Sequence, residues 1–164
     1  MRPRLALVLA VATCLGAGYV PVAPGTAGSA LALPIAWGVY RLAGIWGVGA
    51  AVVIATLSGL WASALAEKHY GEHDSSHIVV DELAGQLVSV LPVPSRWPYL
   101  VVAFGWFRLF DSVKPWPAGW VDRNVGGGGG VMLDDLVAGV YSAAVTALLV
   151  HTGVVDRVLS WLLP

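Results

Sequence analysis

At 164 residues the chain has the length of a single domain. With 57% hydrophobic and 12% charged residues, and a mean hydropathy of +0.75, it is more apolar than a water-soluble domain requires, and a bilayer is the solvent that this composition fits. A net charge of −1 without a basic stripe argues against nucleic acid as a partner, and the single cysteine, Cys14, excludes an internal disulfide framework and reads as packing.

In chain order, apolar periodicity predicts helices at about 5–17, 29–41, 43–69, 79–91, 97–113, 132–150 and 154–162. No stretch shows sustained strand alternation. The expected fold is therefore all-α: one compact domain over residues 1–164, a bundle of about six or seven helices, several of them membrane-embedded. The runs from Leu42 to Ala66 and from Leu136 to Val155 are each long enough to cross roughly 30 Å of hydrocarbon. The run from Leu5 to Val20, after Met-Arg-Pro-Arg, has the outline of a secretory signal, but the next segment continues equally apolar, which favours a retained helix. Pro34 predicts a kink or a later helix start. Arg2 and Arg4 place the N-terminus in the cytoplasm. The sequence sets no oligomeric state.

The scarce charges carry the functional signal. Between Arg4 and Glu67 only Arg41 is charged, yet adjacent acids sit inside apolar runs: Asp81-Glu82 in IVVDELAGQLVSV and Asp134-Asp135 in VMLDDLVAGVYSA. Burying them is costly unless a cation neutralises them, and a divalent metal shared with an anionic substrate would do so. Neighbours on a helix diverge by about 100°, so one member of each pair is expected to face a metal. Gly85 and Gly139, at the ends of DELAG and DDLVAG, would let two helices meet closely and bring the acids together. The bland alternative is dipole matching by acids in a first helical turn.

Arg108, Asp111 and Lys114 recur every third residue and share a helical face until Pro115 stops the helix. Two cations around an acid suit an anion and its counter-metal; an intrahelical ion-pair ladder is the alternative. With Asp111 the acids give five oxygen-bearing side chains and no thiolate, a hard donor set that fits magnesium better than zinc. Pro24-Gly25-Thr26-Ala27-Gly28-Ser29 leads into a helix, where backbone N–H groups and the hydroxyls of Thr26 and Ser29 could converge on a phosphate; a plain turn and N-cap is the alternative. The glycines from Gly126 to Gly130 read either as a flexible linker or as a close-approach loop. His69, His73 and His77 read as a solvated loop beside the membrane. The tryptophans, Trp97, Trp116 and Trp120 among them, read as interfacial anchors.

Taken in order, YVPVAPGTAGS, IVVDELAG, FRLFDSVKPWP and DRNVGGGGGVMLDDLVAG closely resemble the phosphatidylglycerophosphatase A family over about residues 18 to 142. The resemblance implies a magnesium-dependent enzyme of the bacterial inner membrane, with its site toward the cytoplasm, that removes the terminal phosphate of the phospholipid phosphatidylglycerophosphate to give phosphatidylglycerol. Positions matching the motifs are Pro24, Gly25, Thr26, Gly28, Ser29, Asp81, Glu82, Arg108, Asp111, Lys114, Pro115, Asp122, Arg123, Gly127, Gly130, Asp134, Asp135 and Gly139. The uninterrupted glycine run departs from the family, which commonly carries a bulkier residue there. On this reading Asp81, Glu82, Asp111, Asp134 and Asp135 are catalytic, with Glu82, Asp111, Asp134 and Asp135 as metal ligands; Thr26, Ser29, Arg108, Lys114 and Arg123 bind substrate. Asp81 or Asp135 would take a proton from the attacking water. A covalent aspartyl phosphate lacks the Asp-x-Asp start of haloacid-dehalogenase-type enzymes, and the DGxxAR opening of alcohol phosphatidyltransferases is missing. A membrane cation transporter is the rival reading of the intramembrane acids, but it needs no phosphate cradle; a lipid-sensing module needs no cluster of acids.

Overall fold

The computed structural model describes residues 3–71 and 75–162. Along them run α1 (Pro3–Ala12), a 3-10 turn (Ala17–Tyr19), α2 (Pro24–Tyr70), α3 (Val80–Ser89), α4 (Trp97–Val113), α5 (Ala118–Asn124), α6 (Gly127–His151) and α7 (Val154–Leu162), with no strand among the described residues. The expected all-helical bundle is what forms.

The differences from expectation have local causes. α1 ends at Ala12 because Cys14, Leu15 and Gly16 turn left-handed. α2 starts with Pro24 in its first turn, where a proline's missing N–H costs nothing, so PGTAGS is helix rather than loop. It runs through Pro34 and breaks instead at Gly44, whose φ of 62° and ψ of −158° suit only glycine. The break divides α2 into 24–43 and 45–70, about 30 and 39 Å long at 1.5 Å per residue. Leu42 and Trp46, beside the elbow, are almost fully exposed. α5 has no counterpart in the periodicity, since its seven residues make two turns that are neither long nor amphipathic enough to register. The glycine run is the first turn of α6: a Cβ on Gly128 would lie 2.7 Å from the Leu60 carbonyl oxygen and 2.8 Å from the Ala64 nitrogen, so bare backbone lets α6 close on α2.

The core centres on α3, which is too short to cross a membrane and is enclosed by its neighbours. Gly139 of α6 lies against the Gly85 carbonyl of α3, and a Cβ on Gly85 would come within 2.5 Å of the Asp135 carbonyl oxygen and 2.7 Å of the Phe107 ring. The predicted close approach of the two helices is present. One turn on, the Ser89 and Ser142 hydroxyls lie 2.6 Å apart and 3.2 and 2.8 Å from the Ala103 carbonyl; with Ser142 donating to that carbonyl and Ser89 to Ser142, they lock α3, α4 and α6 together. α1 belongs to the same core: Val8, Leu9 and Ala12 are buried, and the Val79 N–H donates to the Ala12 carbonyl at 2.9 Å. Among the described residues, α2 and α6 are the two helices long and apolar enough to span a bilayer. Trp46, Trp97, Trp116, Trp120 and Trp161 are all exposed.

Gly85→Ala should destabilise the protein in detergent by about 1–3 kcal/mol through overpacking. Gly38→Ala, with open space around it, should be neutral or stabilising; paired thermal melts measure both.

Candidate active site

The first turns of α2 and α3 converge, and acids collect where they meet. Glu82 lies so close to Gly25 that a Cβ there would collide with its carboxylate oxygen. A side chain at position 25 would displace that carboxylate, and Glu82 as placed gains the positive end of α2 as well as that of its own helix. The Val79 N-cap makes no side-chain cap hydrogen bond. Asp81 and Glu82 thus do stand in a first turn, as dipole matching would have it, whereas Asp134 and Asp135 stand more than a turn inside α6.

Asp81, Glu82 and Asp135 form one group, each offering an oxygen within 4.8 Å of the others. Asp81 and Asp135 are buried, and Asp81 Oδ1 and Glu82 Oε2 have no hydrogen-bond partner among the described residues. The Gly85–Gly139 contact makes this possible by bringing α3 and α6 to backbone distance. Both members of the 81/82 pair turn into the group, because a helix's first turn leaves its side chains room to fold inward. The 134/135 pair divides as the 100° rule requires: Asp134 Oδ2 accepts from Lys114 Nζ at 2.7 Å, away from the group.

Asp111 adjoins this group, close enough to Asp135 for their carboxyls to hydrogen-bond. Its Oδ2 pairs with Arg108 Nη1 at 2.8 Å, and the same nitrogen donates to Ser29 Oγ at 3.1 Å while Ser29 Oγ donates to the Gly25 carbonyl at 2.7 Å. The Arg108–Asp111 step of the ladder therefore exists, but it is stitched to α2 beside the acids rather than lying free in solvent. Thr26 is half-buried in the first turn of α2. Lys114, left-handed at φ 45° where α4 ends, leaves the ladder and bridges Asp134 to Asp122 at 2.5 Å. Burial works against its ammonium, but hydrogen bonds and charge from Asp122 and Asp134 outweigh that and hold its pKa above the ordinary lysine value. Arg123 is exposed on the last turn of α5. The Asp122 link had no signal in spacing, since it depends on where α5 folds.

The remaining candidates have structural partners. His77 Nδ1 lies 3.0 Å from the Gly18 carbonyl, and its ring packs between Tyr19 and Tyr70 at 5.2 and 5.3 Å. His69 is exposed on the Tyr70 ring, and His73 lies outside the described residues. Burial, and then the Glu82 charge, push the Cys14 thiol up to about 12, so it is packing rather than a nucleophile.

The donor set fits a hard dication: three convergent carboxylates, two with unpartnered buried oxygens, and no nitrogen or sulfur among them. A guanidinium and a helix N-terminus beside them supply the complementary charge that a phosphate dianion needs.

If Lys114 and Asp134 form one functional pair, Lys114→Met and Asp134→Asn should each destabilise the protein, and the double variant should be less destabilised than their sum by about 1–3 kcal/mol. Denaturation of the four proteins in detergent measures that coupling.

The chain is similar in sequence to several known proteins. A provisionally named phosphatidylinositol-3-phosphatase of Bacteroides thetaiotaomicron is 44% identical over 154 residues, covering 90% of this chain and 95% of that protein. Phosphatidylglycerophosphatase A of Escherichia coli is 36% identical over 149 residues, 86% of this chain and 82% of the relative. That of Haemophilus influenzae is 34% identical over 139 residues, 82% and 83% respectively. No solved structure matches the chain. The profile of the family described as phosphatidylglycerophosphatase A matches residues 10–150, every acid and cation of the site included, and the chain belongs to that family of phosphoric monoester hydrolases.

Proposed function

We propose that the chain hydrolyses the terminal phosphate monoester of phosphatidylglycerophosphate to phosphatidylglycerol and phosphate, with magnesium held by Asp81, Glu82 and Asp135. The observation that carries this reading is the three-carboxylate group with Arg108 and the α2 N-terminus at its side. Bound there, magnesium would supply charge neutralisation and polarisation of a phosphoryl oxygen.

The chain's own residues do the rest. Arg108, fixed by Ser29 and Asp111, offers its fork to the nonbridging oxygens. The N–H groups opening α2, with the Thr26 hydroxyl, receive a further oxygen. Asp111, outside the three-oxygen group yet next to Asp135, is the carboxylate left to accept a proton from the attacking water. Lys114 and Asp134 set the junction of α4, α5 and α6, and Arg123 stands exposed for a headgroup. Asp134 and Asp111, read from sequence as ligands, become a positioning acid and the base in this proposal, and Asp81, read with Asp135 as the candidate base, joins Asp135 in the ligand set.

The exposed tryptophans and the apolar faces of α2 and α6 support an integral membrane protein; its place in the bacterial inner membrane, with the site toward the cytoplasm, is part of the same proposal. The transporter reading has no finding in its favour.

The direct experiment is phosphate release by purified protein from phosphatidylglycerophosphate, with and without magnesium, and with phosphatidylinositol 3-phosphate and a soluble monoester alongside. Release should require the metal and favour phosphatidylglycerophosphate; equal rates after chelation would sink the metal assignment. Glu82→Gln and Asp135→Asn should each lose more than the ~10–100-fold that removing an outer partner costs. Asp111→Asn should lose kcat by about 10²–10⁴-fold while still binding magnesium, and a loss of binding instead would make it a ligand. Arg108→Ala should raise KM more than Arg108→Lys does.

A further inference from the structure

One buried polar side chain near the acids has no role in the reaction as drawn. Gln86 has no exposed surface, and neither its Nε2 nor its Oε1 has a hydrogen-bond partner among the described residues. A carboxamide in that state has given up water and gained nothing back, so packing alone would favour an apolar residue in its place.

Its position on α3 indicates what it is for. Gln86 follows Glu82 by four residues and lies one turn along the same face. Glu82 abuts Gly25 of α2, and Val90, one further turn along, borders a small gap with Ala36 and Tyr40 of α2. Gln86 thus lies midway along the α2–α3 seam, directly beneath the acids. Long side chains on a helix lean toward its N-terminus, which carries the carboxamide toward Glu82. There the Glu82 Oε2 atom is buried and likewise unpartnered. A donor and an acceptor, each lacking a partner, thus lie one helical turn apart in the same seam.

We propose that Gln86 is a positioning residue for Glu82: its Nε2 donates to one internal water, which in turn donates to one Glu82 carboxylate oxygen, so that the other is presented to the metal. This rests on the magnesium reading above. A carboxylate free to rotate would lose affinity for the ion, and outer partners of this kind are worth about 10–100-fold.

Magnesium binding by calorimetry, on detergent-purified full chain without substrate, tests the proposal with Gln86→Met and Gln86→Leu. Both replace the carboxamide with an apolar side chain of similar size. The expected result is binding at least tenfold weaker in both, with melting temperatures in metal-free buffer equal to or above that of the parent protein. Affinity within tenfold of the parent in either variant, or a loss that tracks a fall in melting temperature, would overturn it. Failure of the parent protein itself to bind magnesium would instead strike the reading on which the inference stands.

Discussion

The structure is organised around a repulsion. Asp81, Glu82 and Asp135 bring three carboxylates within 4.8 Å of one another in a region largely closed to water, where like charges are screened least. Such a group is tolerable only with cations or shared protons among its oxygens. Much of the surrounding architecture supplies positive potential: the first turns of α2 and α3 point their N–H groups toward it, and Arg108 is held beside it by Ser29 and Asp111. The preparation suits a dication and a phosphate arriving together, since each relieves the charge of the other.

Bringing acids from α3 and α6 so close takes helices without side chains at their contact. Gly85 and Gly139 provide it, and Gly25 does the same between α2 and Glu82. In lipid, where apolar contact between helices gains little over apolar contact with acyl chains, close backbone packing and interhelical hydrogen bonds become the available adhesives. The Ser89–Ser142–Ala103 node supplies the second one turn below the glycine contact. Stability and site geometry therefore rest on the same small residues.

Charge is also segregated in space. Arg108 serves the carboxylate group, while Lys114, only six residues on, is turned away by its left-handed backbone to join Asp122 with Asp134. A guanidinium that presents a planar fork suits oxygen recognition, and an ammonium that accepts any direction suits a junction between three helices. The two acids of the 134/135 pair are divided between these stations by helical periodicity alone.

Composition and periodicity determined the helical class, the two apolar spans, the acids lying among apolar neighbours and the pairing of α3 with α6 through Gly85 and Gly139, because each depends on residues close in sequence or on the cost of placing charge among apolar neighbours. The motif order carried the family. What sequence could not decide was which oxygens meet: whether Asp81 or Asp134 joins Glu82 and Asp135, whether Lys114 stays on the Arg108 face, and that Gln86 lies unpartnered beneath the acids. Those follow from where helix ends fall and how α5 folds back, and from Gly44 rather than Pro34 breaking α2. A helical wheel fixes directions within one helix, but the distance between side chains on different helices is set only once the helices have packed.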